Sequence, residues 1–194
     1  RFLEELYELA TISIGLPLDA ESLAIQTYKL QIQRYLTLTQ QRSKLESVAD
    51  QILSERDDYR CLRSIPGICP IIALMILAES GDLTRFRHYR QYLNFCGFNL
   101  SAIQSGQRRG NYQLSKRGNA RLRYAYWLAA VSAIRQRENS LRYKYERYIR
   151  RDPENADLKR KARVAVAAKV ARVAHALVKQ KTDYRGFYEY GHET

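Results

Sequence analysis

Cysteine, histidine and long apolar runs are scarce in this sequence, and each scarcity excludes a class of protein. Three cysteines occur among 194 residues, with no Cys-x-x-Cys pair, which argues against a disulfide framework or a zinc site. Three scattered histidines have no metal-ligand spacing. No apolar run approaches the roughly 20 residues of a transmembrane helix, and we see no signal-peptide pattern. We therefore expect a cytoplasmic protein in which Cys61, Cys69 and Cys96 are reduced, buried packing residues.

Acidic residues are also few, and their deficit is concentrated in the C-terminal half. The chain has 33 Lys and Arg against 20 Asp and Glu, a formal charge of +13. Residues 105–181 alone hold 21 Lys and Arg against 5 Asp and Glu, a net of +16. This asymmetry indicates a nucleic-acid-binding face, with a membrane surface as the alternative. Fifteen tyrosines add aromatic faces on which bases can stack.

Helical periodicity covers nearly the whole chain, and we see no internal repeat and no convincing strand. An amphipathic segment over residues 1–14 precedes a long helix from about Ala20 to Leu62. Its later apolar residues repeat every seven, as in a coiled coil: Leu38, Leu45, Ile52 and Tyr59. This stripe predicts a partner helix, in another copy or elsewhere in a longer parent protein, which we expect because residue 1 is Arg. An ordinary helix packed on its own domain is the alternative.

The pattern predicts an all-α fold with three parts. Residues 1–61 form the N-terminal helix and coiled-coil segment, residues 62–182 a compact helical domain, and residues 183–194 a loose tail. Within the domain we expect helices over residues 71–78, 85–96, 122–134, 139–151 and 158–181, the third of them central and buried. The turn at Pro66-Gly67 resembles a helix-hairpin-helix element, whose backbone N–H groups contact a DNA phosphate. A plain helix–helix turn is the alternative.

One glycine-rich basic stretch, residues 104–119, organises the compact domain. Ser105 lies between Gln104 and Gly106, and glycine lets the backbone approach a ligand closely. Cations follow up to and into the next helix: Arg108, Arg109, Lys116, Arg117, Arg121 and Arg123. Positive charge is unfavourable at a helix N-terminus, so we expect an anion there, and a phosphate would suit. A solvated, flexible basic loop is the alternative.

Five short motifs occur in a fixed order along residues 62–180. They are Ile65-Pro66-Gly67, Glu79-x-Gly81-Asp82-x-x-Arg85-Phe86, Gln104-Ser105-Gly106, Leu114-Ser115-Lys116-Arg117-Gly118-Asn119 and Leu122-Arg123. Together they resemble the C-terminal transposase domain of the DEDD/serine insertion-sequence transposases. These are bridge-RNA-guided recombinases related to the pilin-gene invertases, and the preceding helix resembles their coiled coil.

The resemblance implies a DNA recombinase in which Ser105 is the catalytic nucleophile. It further implies a RuvC-like domain, absent from this chain, that binds Mg²⁺, so we expect no cofactor within the chain itself. DNA, a structured guide RNA and further copies of the chain are the expected partners, in a bacterial or archaeal nucleoid. The expected phosphate-binding residues are Gly67, Gly106, Arg108, Arg109, Lys116, Arg117, Arg121 and Arg123.

Two questions stay open at this point. A non-catalytic basic helical nucleic-acid-binding module is the alternative function, with Ser105 only hydrogen-bonding a phosphate. Glu79 and Asp82 form a close acid pair that suits either Mg²⁺ or the end of a helix.

Overall fold

Eight α-helices and one pair of short strands make up the part of the chain that this computed structural model describes, namely residues 2–12, 15, 19, 21–102, 112–115, 117–137 and 139–186. The helices are α1 (Phe2–Ile12), α2 (Leu23–Leu53), α3 (Asp57–Arg63), α4 (Pro70–Ser80), α5 (Tyr89–Cys96), α6 (Ala120–Arg135), α7 (Ser140–Ile149) and α8 (Ala156–Gln180). The strands are β1 (Leu100–Ala102) and β2 (Tyr112–Leu114). The predicted all-α class is confirmed.

The chain divides into two units, residues 1–44 and residues 45–194. The first holds α1 and the N-terminal part of α2, and its described side chains are almost all exposed. The predicted apolar stripe of α2 is exposed too, with Leu38 at 54%, Leu45 at 58% and Ile52 at 70% of their full accessibility. Coiled-coil pairing of this stripe stays a prediction. None of the described helices is both long and apolar enough to cross a membrane.

The long helix predicted from Ala20 to Leu62 is wrong in one respect, because it is broken after Leu53. Tyr59 has the spacing of the stripe but lies on α3, where it is buried and its hydroxyl donates to the Asp50 carboxylate. The Arg56 guanidinium forms two hydrogen bonds to Asp58, 2.7 and 3.0 Å long, and lowers the pKa of that carboxyl. Asp57 and Asp58 also favour a helix start here, since acidic groups stabilise a helix N-terminus.

The second unit is built around two helices, the predicted α6 and also α8, which packs against α3, α5, α6 and α7. Four alanines of α6 are fully buried, and small residues of α8 are buried as well: Ala125, Ala129, Ala130 and Ala133, with Ala162, Ala167, Ala171 and Ala174. Small side chains let helix backbones approach closely, and α6 packs against α4, α7 and α8. Cys61 and Cys96 are buried free thiols, as predicted, whereas Cys69 is half-buried.

Two further expectations need correction. The helix expected over residues 85–96 begins only at Tyr89, after a 3₁₀ turn at Leu83–Arg85. His88 begins this helix with a capping box. Its ring Nδ1 accepts a hydrogen bond from the Arg90 N–H, and its backbone N–H donates to the Gln91 side chain. Tyr184 is not in a loose tail, because its N–H donates to Ser64 Oγ at 2.8 Å and its hydroxyl bonds Ser140.

The strand pair was not predicted. Its strands are antiparallel, with Leu100 opposite Leu114 and Ala102 opposite Tyr112. Each strand has only three residues, too few for a recognisable alternation of apolar and polar side chains.

Candidate functional site

The strand pair holds both ends of the segment that carries Ser105. The chain leaves Ala102 and returns at Tyr112 directly across the ladder, and the Ser115 N–H donates to the Asn99 carbonyl at 2.7 Å. Residues 103–111 therefore start and finish at one fixed place on the second unit. The predicted residues Ser105, Gly106, Arg108, Arg109 and Lys116 lie outside the described residues.

Two glycines join this hairpin to the helices beside it. Gly97 ends α5 with φ 75°, and Gly118 has φ 129° just before α6. A Cβ atom at Gly118 would lie 2.6 Å from the Phe95 carbonyl oxygen and 2.7 Å from the Gly97 nitrogen. Only glycine allows both this conformation and this approach. The turn before α6 therefore packs in close contact with the C-terminal end of α5.

Asn119 fixes the start of α6 by three hydrogen bonds. Its side-chain oxygen accepts from the Leu122 N–H at 3.0 Å, which is a helix N-cap. Its backbone N–H donates to Phe95 O at 2.8 Å, and its amide nitrogen donates to the Glu79 carboxylate at 2.8 Å. Asn119, the last residue of the Lys-Arg-Gly-Asn motif, thus links α4, α5 and α6 by hydrogen bonds.

Glu79 supplies a negative charge next to the cations at the start of α6. Its carboxylate lies 3.6 Å from Arg121 Nη1, so the chain supplies one negative charge at this helix N-terminus by itself. The expected phosphate is therefore not the only anion that balances this cluster. Glu79 lies about forty residues before the cations in sequence, and no local pattern links the two.

The described cations of the predicted set have different surroundings. Arg117 is exposed, and the Arg121 side chain is 84% exposed despite its contact with Glu79. Arg123 is half-buried, and its Nη1 donates to the Cys96 carbonyl at 3.4 Å, where it stabilises the end of α5. Arg117 and Arg121 are thus open to a ligand, while Arg123 has a structural contact.

Gly67 lies apart from this cluster and inside the protein. It is buried, has φ 88°, and a Cβ there would fall 2.2 Å from the Ala129 carbonyl oxygen of α6. This close approach accounts for glycine at residue 67 without a phosphate, which favours the plain helix–helix turn between α3 and α4. A phosphate contact at Gly67 stays a prediction.

An aromatic groove beside β2 was missed by the sequence analysis. Tyr124 and Trp127 of α6 stack with their planes 13° apart, and both are partly exposed. Their groove has a volume of about 330 Å³, and Leu114 and Arg123 also line it. Because this helix is apolar nearly all round, the sequence analysis predicts that it is buried as a whole. The spacing of three residues, which places Tyr124 and Trp127 next to each other on one helix face, was the available signal.

Among the described residues near this site, the buried Cys96, Tyr92 and Tyr126 are unreactive. Burial raises the pKa of Cys96 to about 12, so its thiol is not a competing nucleophile at neutral pH. Burial also raises the pKa values of Tyr92 and Tyr126, whose hydroxyls lie 2.6 Å apart. These groups pack the core and are neutral.

The acid pair has structural partners on both sides. Asp82 caps the 3₁₀ turn, accepting from the Thr84 N–H at 2.8 Å, and Glu79 contacts Asn119 and Arg121 as described. Among the described residues, no group of three or more His, Cys, Asp or Glu is placed to hold a metal ion. The helix-end interpretation of this pair is the one that the geometry supports.

The amino-acid sequence of this region is similar to that of known proteins. Residues 59–146 match the model of the Transposase IS116/IS110/IS902 family. The matched range begins in α3 and ends in α7, so it includes the strand pair, Asn119 and every residue that lines the aromatic groove except Val164.

Three relatives agree with this match. The chain is 29% identical over 186 residues to the transposase for insertion sequence element IS1111A of Coxiella burnetii, which covers 95% of this chain and 50% of that protein. It is 33% identical over 137 residues to a probable family 20 transposase of Pseudomonas aeruginosa, covering 67% and 38%. It is 30% identical over 78 residues to an uncharacterized 44.8 kDa protein of insertion element IS116 from Streptomyces clavuligerus, covering 40% and 20%. The chain thus spans half or less of the length of these relatives.

Proposed function

We propose that this chain is the serine-bearing part of a DNA recombinase that moves an insertion sequence. The observation that carries the proposal is the fixed hairpin base, which holds the ends of the Ser105 segment beside the exposed cations Arg117 and Arg121. The match of residues 59–146 to a transposase family supports it.

The proposed reaction is transfer of a DNA phosphodiester to Ser105. The Oγ–P bond forms as the bond from phosphorus to one bridging deoxyribose oxygen breaks. The serine proton passes to a base, and the departing oxygen takes up a proton. Attack by the hydroxyl of an incoming strand reverses these changes and restores the serine. A serine hydroxyl is a weak nucleophile until its surroundings activate it.

The chain's own basic residues have a defined role in this scheme. Negative charge builds up on the pentacovalent phosphate, and donors held in place before the reaction stabilise it most. We assign this role to Arg108, Arg109, Lys116 and Arg117. We propose that Mg²⁺ binds to the RuvC-like domain outside this chain, because Glu79 and Asp82 are engaged by Asn119, Arg121 and Thr84.

The aromatic groove adds a contact for the nucleic acid. Arg121, Tyr124 and Trp127 follow one another at intervals of three residues along the exposed side of α6. Stacking of a base on such a pair contributes roughly 1–3 kcal/mol and depends little on sequence. We also propose a structured guide RNA and a second copy of the chain, bound through the exposed stripe of α2, as partners.

Replacement of the serine tests the proposal in the full-length parent protein. We predict that Ser105→Ala abolishes strand exchange while DNA binding changes only a few-fold, because many basic residues contact phosphates. Ser115→Ala, a serine on the same hairpin, is the matched control and should recombine normally. Strand exchange by Ser105→Ala at the wild-type rate would rule out the enzyme and leave the non-catalytic binding module.

A further inference from the structure

A cluster of four cations lies along the contact between α7 and α8. We call it the basic cluster, and it consists of Lys144 and Arg147 on α7 with Lys169 and Arg172 on α8. Lys144 and Lys169 are half-buried, whereas Arg147 and Arg172 are exposed. On α8, Lys169 and Arg172 come five and eight residues after Val164, which lines the aromatic groove, so they lie about 7.5 and about 12 Å from it along the helix axis.

The four cations are close enough to repel one another. Burial lowers the pKa of Lys169 to about 8, with repulsion from Arg172 and Lys144 as the further causes. Burial and repulsion from Arg172 and Arg147 likewise lower the pKa of Lys144. Folding therefore brings these charges together against their mutual repulsion, and the negative charge of a bound polyanion would offset that repulsion.

The one carboxylate of each of the two helices, Glu146 on α7 and Asp157 on α8, contacts other cations. Glu146 of α7 bonds Arg142 at 2.7 Å, and Asp157 of α8 binds Lys161 at 2.7 Å and Arg160 at 3.6 Å. Neither carboxylate is paired with a cation of the cluster in the described residues.

The positive surface continues beyond Arg172 into a hollow of about 230 Å³. Arg87, Tyr89, Arg172 and Lys179 are among its lining residues. The Lys179 ammonium donates to the Arg87 carbonyl at 2.7 Å, which fixes its position at the far end. From Lys169 to Lys179 the row is about 15 Å long, since an α-helix rises 1.5 Å per residue. One strand of a DNA duplex has one phosphate for about every 3.4 Å of duplex axis, so a row of this length laid along that axis matches about four phosphates.

The aromatic rings of this surface favour a duplex backbone over a single strand. The Arg172 guanidinium lies 5.7 Å from the Tyr89 ring centre, and the Lys144 ammonium lies 5.9 Å from that of Tyr148. These rings are engaged by cations, whereas single-strand binding uses open aromatic faces on which bases stack.

We propose that the basic cluster and the hollow beside it form a second nucleic-acid site, which binds the backbone of duplex DNA. The choice of DNA rests on the proposed function. The site itself does not, because it involves neither Ser105 nor any chemical step.

The test compares two triple variants of the 194-residue chain that lose the same charge. One is Lys144→Gln/Lys169→Gln/Arg172→Gln in the cluster, and the control is Lys159→Gln/Arg160→Gln/Lys161→Gln at the start of α8. Binding to a DNA duplex of arbitrary sequence is measured over a range of salt concentrations, after thermal melting has shown that each variant is folded. If the cluster variant does not fold, the single exposed change Arg147→Gln replaces it.

Each phosphate contact contributes about 0.9 to the slope of log affinity against log salt for duplex DNA. We expect the slope to fall by about 2–3 in the cluster variant, by about 0.9 in Arg147→Gln, and by less than 1 in the control. An unchanged slope, or an equal fall in the control, would overturn the site. A fall on duplex RNA but not on duplex DNA would overturn the assignment to DNA. Ser105→Ala should leave the slope unchanged. The salt slope therefore tests this site alone, whereas strand exchange by Ser105→Ala tests the proposed chemistry.

Discussion

The start of α6, just after the strand pair, depends on residues that contribute no chemistry themselves. Gly118 lets the chain pass within van der Waals contact of the end of α5, and Asn119 then ties α6 to Phe95 and to Glu79. Because β2 leads directly into this turn, the hairpin and α6 are held in one arrangement. Glycine and asparagine in the Lys-Arg-Gly-Asn motif are thus explained by geometry, without reference to a ligand.

Replacing Gly118 by alanine tests this explanation. Gly118→Ala should lower the free energy of unfolding by more than the roughly 1–3 kcal/mol that an unfavourable backbone conformation alone costs, because the added Cβ also meets backbone atoms. Gly81→Ala is the control, since Gly81 has φ 62° but no atom within 4 Å of an added Cβ. Chemical denaturation measures both variants. An equal decrease in the free energy of unfolding in both variants would show that the close contact at Gly118 adds nothing to the cost of the substitution.

At the scale of secondary-structure elements, apolar periodicity predicted α4, α6, α7 and α8 to within a few residues. It failed at the break between α2 and α3, because Tyr59 keeps the heptad spacing although it lies on the second helix. No glycine or proline marks that break; contacts of Asp50 with Tyr59 and Arg63 stabilise it instead. The strand pair escaped prediction because each strand has only three residues, and the Glu79 contact because its partners lie about forty residues away in sequence.

The exposed stripe of α2 gives the prediction at this scale. Leu45→Lys combined with Ile52→Lys should shift the chain to smaller assemblies, since a partner helix must bury this stripe and a lysine there would be desolvated. Gln40→Lys combined with Gln51→Lys adds the same charge away from the stripe and should leave the assembly unchanged. Light scattering gives the mass of each. If neither pair of changes alters the mass, the second copy is not bound through α2.

At the scale of the whole molecule, the proposal separates DNA binding, for which the chain supplies a net charge of +13, from cutting, for which we propose a metal bound outside it. We predict that the 194-residue chain binds DNA tightly with little sequence preference. Its affinity should fall roughly 10³-fold or more between 50 and 200 mM salt if six or more phosphates are contacted. With Mg²⁺ and a supercoiled plasmid that bears a cognate target, it should produce no nicks and no adduct. An adduct that disappears in Ser105→Ala would show that this chain is catalytically sufficient.

The central claim is that DNA becomes attached to Ser105, and mass spectrometry of the trapped adduct tests it most directly. The full-length parent protein is reacted with target DNA, denatured, and digested with nuclease and trypsin. Cleavage after Arg90 and Arg108 releases residues 91–108, which contain Ser101 and Ser105 as their only serines. We predict a nucleotide joined through phosphate to Ser105 in the fragment spectrum. A nucleotide on Ser101, on Tyr92 or on any peptide other than this one would contradict the account.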